Sequence, residues 1–128
     1  MSALEGYRVL ELASERVAFA GKLLADMGAD VILIEPPGGD PSRGYPPFVD
    51  DEPGVDRSLW WWHYHTSKRG IVLDLDRPED RGRLSALAAG ADILVAGAFG
   101  HPRLQEFIFG GSTRTFLQAQ GPSLFLSH

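Results

Sequence analysis

Two short motifs carry side chains that suit the binding of an anionic ligand. One is the polar loop of residues 38–40, Gly-Gly-Asp, with Arg43 close behind; the other is the pair Lys68 and Arg69, placed directly before a β-prone run. Arginine offers a planar fork of donors and can stack on a ring, whereas lysine offers a point charge. The two motifs favour a clamp for a phosphate or an adenine. A plain connecting loop and a solvated strand entry are the competing interpretations.

Other chemistry has little support in the residues. His63 and His65 alternate, but no carboxylate lies at metal-ligand spacing, so we expect no metal site. Single carboxylates near strand ends are more often caps or solvated edges than catalysts. Four occur here: Glu11, Glu35, Asp74 and Asp76. There is no serine elbow, cysteine nucleophile or paired His-Asp signature, so no catalytic residue is assigned.

A buried strand must position the polar loop. Val31–Ile34 is a continuous apolar run, which is typical of a strand covered on both faces in a parallel sheet. Glu35 ends the run, and the prolines that follow cannot continue a ladder because proline has no N–H. The loop therefore leaves the carboxyl end of a buried parallel strand, which is the edge where open α/β sheets bind ligands.

The N-terminal third predicts a β-α-β unit. Tyr7–Leu12 is the first strand, Ser14 is a candidate N-cap and Gly28 a candidate C′ residue. The helix between them has an apolar stripe of Val17, Ala20, Leu24 and Met27, widened by Phe19 and Leu23. A right-handed crossover makes the flanking strands parallel. The first strand-to-helix turn has no glycine, which disfavours a nicotinamide dinucleotide site.

The rest of the chain continues the alternation of strands and helices. Residues 45–57 are predicted to be irregular. Further strands are predicted over Ile71–Leu75, Asp92–Ala96 and Pro122–His128. Further helices are predicted over Ser58–His65, from a capping box at Asp76–Glu79 to Gly90, around Leu104, Phe107 and Ile108, and over Ser112–Gln120. The predicted fold class is α/β, a Rossmann-like, mostly parallel sheet flanked by helices.

Composition narrows the function classes. The chain has 128 residues, 44% hydrophobic and 23% charged, with a net charge of −5, as in one ordinary globular unit. The acidic balance argues against a nucleic-acid partner. The absence of cysteine excludes disulfides and thiolate metal sites. Because the N-terminus has neither a basic head nor a long apolar segment, we expect a cytoplasmic protein without a membrane span.

Several motifs together resemble the N-terminal part of the family III CoA-transferases, which include formyl-CoA transferase, carnitine CoA-transferase and α-methylacyl-CoA racemase. The most specific motifs are GADVILIEPPGGDPSR and KRGIVLDL, and the resemblance covers most of residues 4–95. It implies a Rossmann-like half of a larger subunit. It also implies CoA or an acyl-CoA as ligand, and a homodimer whose subunits interlock.

The resemblance also suggests site residues. By position in the motifs, Lys68 and Arg69 resemble the family's basic pair near the CoA adenosine and phosphates, and Arg43 the arginine of its Gly/Pro loop. Gly97 falls near an asparagine that lines the nucleotide in the family. The family's catalytic aspartate, and the histidine of its racemases, would lie beyond the last predicted strand. Residues 1–128 are therefore expected to be a CoA-binding half-domain that is catalytically silent alone.

Three interpretations remain open. The first is the N-terminal part of a CoA-transferase, the second the same part of an acyl-CoA racemase. The third is a degenerate, non-catalytic binding or dimerisation module. The N-terminal part of an enzyme is the leading interpretation. Departures from the family pattern on the CoA side allow the third: Val17-Ala18-Phe19 replaces Ala-Gly-Pro, Ala96-Gly97-Ala98 replaces Glu-Asn-Phe, and the asparagine before Lys68 is missing. The cluster of tryptophans at 60–62 predicts self-association.

Overall fold

A computed structural model describes residues 3–97 and, beyond them, the backbone of 115–120 and 123–127. The strands within these residues are β1 (Arg8–Leu12), β2 (Asp30–Glu35), β3 (Arg69–Val72), β4 (Ile93–Ala96), β5 (Thr115–Gln120) and β6 (Ser123–Ser127). The α-helices are α1 (Ala18–Asp26), α2 (Leu59–Tyr64) and α3 (Pro78–Ala89). Short 3-10 turns at Pro41–Gly44 and Val49–Asp51 interrupt the long loop between β2 and α2.

The strands form one sheet in the order β3-β2-β1-β4-β5-β6. Every neighbouring pair is parallel except β5 and β6, which are antiparallel. Leu10 of β1 stands opposite Ile32 on one side and Leu94 on the other. The predicted α/β class, with a mostly parallel sheet flanked by helices, is confirmed. The strand order reverses between β1 and β4, which makes that boundary the switch point of the sheet.

Two apolar layers cover the sheet, because successive strand side chains point to opposite faces. One layer contains Leu10 and Ile32 and includes Leu84 of α3. The other contains Val9 and Val31 and includes Ala25 of α1. All four residues of Val31–Ile34 are buried, so the predicted burial of this strand on both faces is confirmed.

Helix α1 packs on the sheet through a different face from the predicted one. The side chains buried along it are small: Val17, Ala18, Gly21 and Ala25. Three large members of the predicted stripe are about half exposed, at 51%, 47% and 45%: Phe19, Leu23 and Met27. Of the remaining members, Val17 is buried, and Ala20 and Leu24 are partly buried. Small residues let the helix approach the sheet closely, and the bulky ones are left on the outer face.

The ends of two helices differ from the predicted capping. Helix α1 begins at Ala18, and Ser14 instead caps the preceding turn, where its Oγ accepts from the Arg16 amide at 3.2 Å. The prediction of a capping box at Asp76–Glu79 is wrong, because the N-cap of α3 is Arg77 and makes no side-chain capping bond. The predicted ends are confirmed, since Gly28 adopts φ +102° after α1 and Gly90 closes α3.

Two predicted segments are also corrected. Strand β3 runs over Arg69–Val72 rather than Ile71–Leu75, although the Leu73 amide still donates to the Glu35 carbonyl at 3.0 Å. The helix predicted over Ser112–Gln120 is wrong, because Thr115–Gln120 is a strand with ladder partners in β4 and β6 on both sides. Such pairing overrides local propensity. The predicted short helix at Ser58–His65 is confirmed as α2.

Two further points concern the described residues. None of their helices is both long and apolar enough to span a membrane. The amphipathic turns predicted around Leu104, Phe107 and Ile108 lie outside the described residues.

Candidate functional site

The carboxyl ends of β1 and β4 lie side by side at the switch point. Two residues meet just beyond them: a methyl group built on Gly97 would lie 2.8 Å from Ser14 Oγ and 3.9 Å from Arg16 Cβ. Ser14 therefore packs against Gly97, and only a glycine fits there without displacing the serine. We call the edge of the sheet at Ser14 and Gly97 the switch-point crevice. Open α/β sheets bind ligands in the crevice at this position.

A cavity of about 250 Å³ continues along the same edge, over the carboxyl ends of β1, β2 and β3. Its walls are mostly apolar, with carboxylates at the rim: it is lined by Leu12, Ala13, Ile34, Glu35, Pro36, Pro37, Leu73, Asp74, Leu75 and Asp76. Its Ala13 wall adjoins Ser14 of the crevice. Sites for whole ligands usually occupy roughly 300–1,000 Å³, so this cavity suits one part of a larger ligand.

Arg43 is held by several groups within the loop after β2. Its Nε and Nη2 bind the two oxygens of Glu35 at 2.6 and 2.7 Å, and its Nη1 donates to the Val55 carbonyl at 2.6 Å. Its guanidinium carbon lies 4.1 Å from the centre of the buried Trp61 ring. Burial opposes ionisation of Glu35, but the hydrogen bonds from Arg43 lower its pKa below the usual value. Arg43 therefore ties the polar loop to α2.

Gly39 explains why the polar loop needs glycine. It adopts φ +92°, and a Cβ there would lie 2.6 Å from Arg43 Cδ. The neighbouring Asp40 is buried and accepts hydrogen bonds from both the amide and the hydroxyl of Ser42. The polar side chains of this loop are thus already hydrogen-bonded to carboxylates and backbone groups of the same chain.

Lys68 lies beneath α1 rather than on the surface, with 1% of its side chain exposed. Its Nζ lies 2.7 Å from Glu11 Oε1, whose side chain is completely buried. The same Nζ donates to the Ala18 carbonyl at 3.1 Å and lies 2.9 Å from His65 Nδ1.

Burial and these contacts shift the pKa values of Glu11, His65 and Lys68. Burial raises the pKa of Glu11 to about 7, although Lys68 opposes that shift. Burial, together with the positive charge of Lys68, lowers the pKa of His65 to about 3. Burial also lowers the pKa of Lys68. His65 is therefore neutral at physiological pH, and it faces the ammonium through a nitrogen lone pair.

Arg69 lies at the opposite, amino edge of the sheet. Its Nε and Nη2 bind Asp30 at 2.8 and 2.7 Å, and Arg8 approaches the same carboxylate at 3.4 Å. Lys68 and Arg69 diverge because neighbouring residues of an extended chain point to opposite sides. These hydrogen bonds from Arg69 lower the pKa of Asp30.

The structure therefore does not bring the four predicted ligand contacts together. Gly97 lies in the crevice, Arg43 in the loop after β2, Lys68 between α1 and the sheet, and Arg69 at the amino edge. Within the described residues, no group of three or more His, Cys, Asp or Glu side chains could hold a metal ion.

Sequence reasoning missed the roles of Glu11 and His65. Glu11 stands inside the apolar run Val9–Leu12, and a carboxylate in a buried strand needs a cation or donors nearby. A carboxylate in this position indicates a buried cationic partner. It does not identify Lys68 as that partner, because Lys68 is far away in sequence.

Comparison with known proteins decides the family. The sequence profile of CoA-transferase family III matches residues 4–102. The chain belongs to CoA-transferase family III. The resemblance seen in the motifs is thereby confirmed.

Individual members of CoA-transferase family III give the same result. The chain is 39% identical over 89 residues to a succinyl-CoA:(R)-benzylsuccinate CoA-transferase subunit of Thauera aromatica, covering 70% of this chain and 22% of that protein. It is 37% identical over 128 residues to a succinyl-CoA:mesaconate CoA-transferase of Haloarcula hispanica, covering 99% and 31%. The chain thus spans less than a third of the length of these curated relatives.

A solved structure of a similar protein agrees on the fold. The crystal structure of a CAIB/BAIF family protein from Brucella suis superposes with a TM-score of 0.70 at 33% identity. The match covers 83% of this chain and 28% of that protein. The sheet and helices described above are thus shared with a much longer solved protein.

Proposed function

We propose that this chain is the nucleotide-binding N-terminal part of a CoA-transferase, and that the carboxyl edge of its sheet holds the CoA portion of an acyl-CoA. The observation that carries the proposal is the cavity of about 250 Å³ at the carboxyl edge of a family III sheet, next to the switch point where Ser14 packs against Gly97. Support also comes from relatives whose names describe transfer of CoA from succinyl-CoA. Catalysis itself belongs, in this proposal, to residues outside 1–128.

The crevice and the adjoining cavity suit different parts of such a ligand. At the crevice, the turn between β1 and α1 presents the Ser14 hydroxyl beside Gly97, where it can hydrogen-bond a polar chain of the ligand. The apolar walls of the cavity suit a planar base, and its rim carboxylates can accept hydrogen bonds from ring amino or ribose hydroxyl groups.

CoA contacts for Lys68, Arg69 and Arg43 stay predictions from the family motif. Each already has a carboxylate partner, in Glu11, Asp30 and Glu35 respectively. Arg69 is 64% exposed and can exchange its partner for a phosphate most readily. Its strand position places it roughly 10 Å from the carboxyl edge, from a rise of about 3.3 Å per residue.

A second candidate function is a non-catalytic binding or dimerisation module. The observation that favours it is the same pairing, since three cations expected to meet phosphate are bound to carboxylates of the chain itself. In this alternative the sheet is kept as a scaffold and CoA does not bind.

A homodimer, interlocked in the full-length protein, belongs to either proposal. The support is an exposed apolar stripe on the outer face of α1, formed by Phe19, Leu23 and Met27, with Trp62 of α2 also half exposed. Large exposed apolar patches mark interaction sites. A cytoplasmic location is proposed on the sequence grounds given above.

Calorimetric titration with CoA tests the nucleotide-binding proposal. We expect saturable binding by the 128-residue chain, and at least about tenfold weaker binding by Gly97→Val, whose side chain would displace Ser14; that loss is about 1.4 kcal/mol. Gly82→Ala, inside α3 at a position where nothing lies within 4 Å of an added Cβ, is the matched control and should bind as the parent does. A folded chain that binds no CoA would overturn the proposal and favour the scaffold.

A further inference from the structure

One ammonium group connects the two ends of the turn between β1 and α1. Glu11 lies near the end of β1, and Ala18 is the first residue of α1. Lys68 Nζ lies 2.7 Å from the Glu11 carboxylate and 3.1 Å from the Ala18 carbonyl oxygen. The chain between these two acceptors, residues 12–17, is the turn that carries Ser14 to its place beside Gly97.

The ammonium has a third neighbour, His65. A lysine ammonium has three N–H donors and no acceptor. Lys68 donates to the Ala18 carbonyl and lies 2.9 Å from His65 Nδ1, while its contact with Glu11 is an ion pair. Because the ammonium can only donate, Nδ1 must accept, and the ring proton resides on Nε2. Lys68 thereby joins β1 and α1 to the end of α2.

The helix leaves no room for a looser arrangement. A Cβ on Gly21 would lie 1.6 Å from Glu11 Oε1 and 2.9 Å from Lys68 Nζ. An ion pair so deeply buried adds little stability over an apolar pair of the same volume. Stability alone therefore does not account for it, and its specific geometry points to a conformational role.

We infer that Lys68 is a positioning residue, which sets the conformation of residues 12–17 and so the shape of the switch-point crevice. The inference rests on the proposed function for the identity of the ligand, but its structural part stands independently. It differs from a phosphate contact, because the Lys68 side chain is only 1% exposed and its ammonium is enclosed by Glu11, Ala18 and His65.

The test removes the two charges together. Glu11→Leu/Lys68→Met leaves neither charge buried alone, so the double variant should fold. The amides of Val17 and Ala18 both donate to the Ser14 carbonyl, at 3.2 and 3.1 Å, and report on the turn. We expect their hydrogen-exchange protection to fall at least about tenfold, as for the loss of a charge-assisted hydrogen bond. Protection in β2, at Ile32 and Leu33, should not change.

Two further readouts separate positioning from a general structural role. In the parent, ¹⁵N shifts of the His65 ring should report an unprotonated, accepting Nδ1, and this signature should change in the double variant. Glu11→Gln, which frees the ammonium, should weaken CoA binding if Lys68 positions the turn. The same change would strengthen CoA binding if Lys68 contacted a phosphate.

The inference is overturned if the folded double variant keeps the parent's protection at Val17 and Ala18, or if Glu11→Gln binds CoA more tightly. The exchange and ring-shift readouts need no ligand. A parent chain that does not bind CoA would therefore remove the proposed function, while these two readouts still decide the role of Lys68.

Discussion

Gly21 of α1 lies against the Glu11 carboxylate of β1 so closely that a methyl group there would be 1.6 Å from Oε1. The contact requires glycine even though this position is inside a helix, where glycine costs roughly 1 kcal/mol relative to alanine. The cost is offset by the close packing of α1 on the sheet, which encloses the Glu11–Lys68 pair. Gly21 and Glu11 therefore determine how near the helix can lie to the crevice.

Gly21→Ala should destabilise the chain, because either the helix or the buried carboxylate must move. We expect a loss of about 2 kcal/mol or more in the free energy of unfolding, as for an overpacked core. Gly82→Ala is the matched control: Gly82 also lies inside a helix, but nothing lies within 4 Å of a Cβ built there. It should gain roughly 0.5–1 kcal/mol. Equal effects in urea denaturation would contradict the packing described here.

Arg43→Lys should also destabilise, although it keeps the charge. Lysine cannot reproduce the two-point contact with Glu35 or the stacking on Trp61. We expect a loss of about 1–3 kcal/mol, because the Glu35 carboxylate, 7% exposed, loses donors. Arg77→Lys, on an exposed pair with Glu79, should change stability by less than about 0.5 kcal/mol. Similar unfolding midpoints for both variants would count against a structural role of Arg43.

His65 should make stability depend on pH in acid. Its pKa in the folded chain is about 3, below the usual 6.5, so an unfolded chain takes up a proton that the folded one excludes as pH falls below about 6.5. Relative to His65→Gln, the parent should therefore lose stability as the pH falls from 6.5 to 3. Its slope is at most about 1.4 kcal/mol per pH unit.

Titration of Glu11 should change the stability with pH in the opposite direction, and it serves as the control. Its pKa of about 7, raised from 4.5, means that the folded chain holds a proton that the unfolded chain lacks between these values. The stabilisation that comes from this proton is therefore lost as the pH rises from 4.5 to 7. Glu11→Gln should remove this trend. Urea unfolding curves measured every half pH unit check both signs, and parallel profiles for parent and variants would refute them.

The outer face of α1 should drive self-association of the chain. Leu23→Lys, in the middle of the exposed stripe, should shift sedimentation profiles at high concentration towards monomer because a charge cannot be buried in the contact. Val55→Lys is the control, since Val55 is exposed at 58% but belongs to the loop between β2 and α2 rather than to α1. A parent chain that remains monomeric at high concentration would rule out this interface.

The sequence predicted the sheet well, because buried parallel strands have a strong local signature. Val31–Ile34 is apolar throughout, and its burial on both faces follows from that pattern alone. The face of α1 was predicted wrongly, since hydrophobicity ranked Phe19 and Leu23 above the small residues that permit close packing. The sequence wrongly predicts a helix over Ser112–Gln120, because the strand at Thr115–Gln120 depends on pairing with β4 and β6, which a local pattern does not show.

The site was less predictable than the fold for the same physical reason. Motif position placed Lys68 and Arg69 together as a clamp, but the alternation of an extended chain sends them to different sides of the sheet. The partners of Lys68 come from three separate elements, and no local pattern specifies such a meeting. Gly97 stands directly after the predicted strand Asp92–Ala96, but its contact with the nucleotide stays a prediction from the family motif.

The most direct measurement is a titration of the ¹⁵N-labelled chain with CoA, followed through its backbone amide shifts. Binding at the carboxyl edge predicts saturable shifts at residues 13–16 and at Gly97, with the amides of Arg8 and Asp30 unchanged. Shifts confined to the amino edge, around Arg8, Asp30 and Arg69, or the absence of any saturable shift in the folded chain, would contradict the proposed nucleotide site.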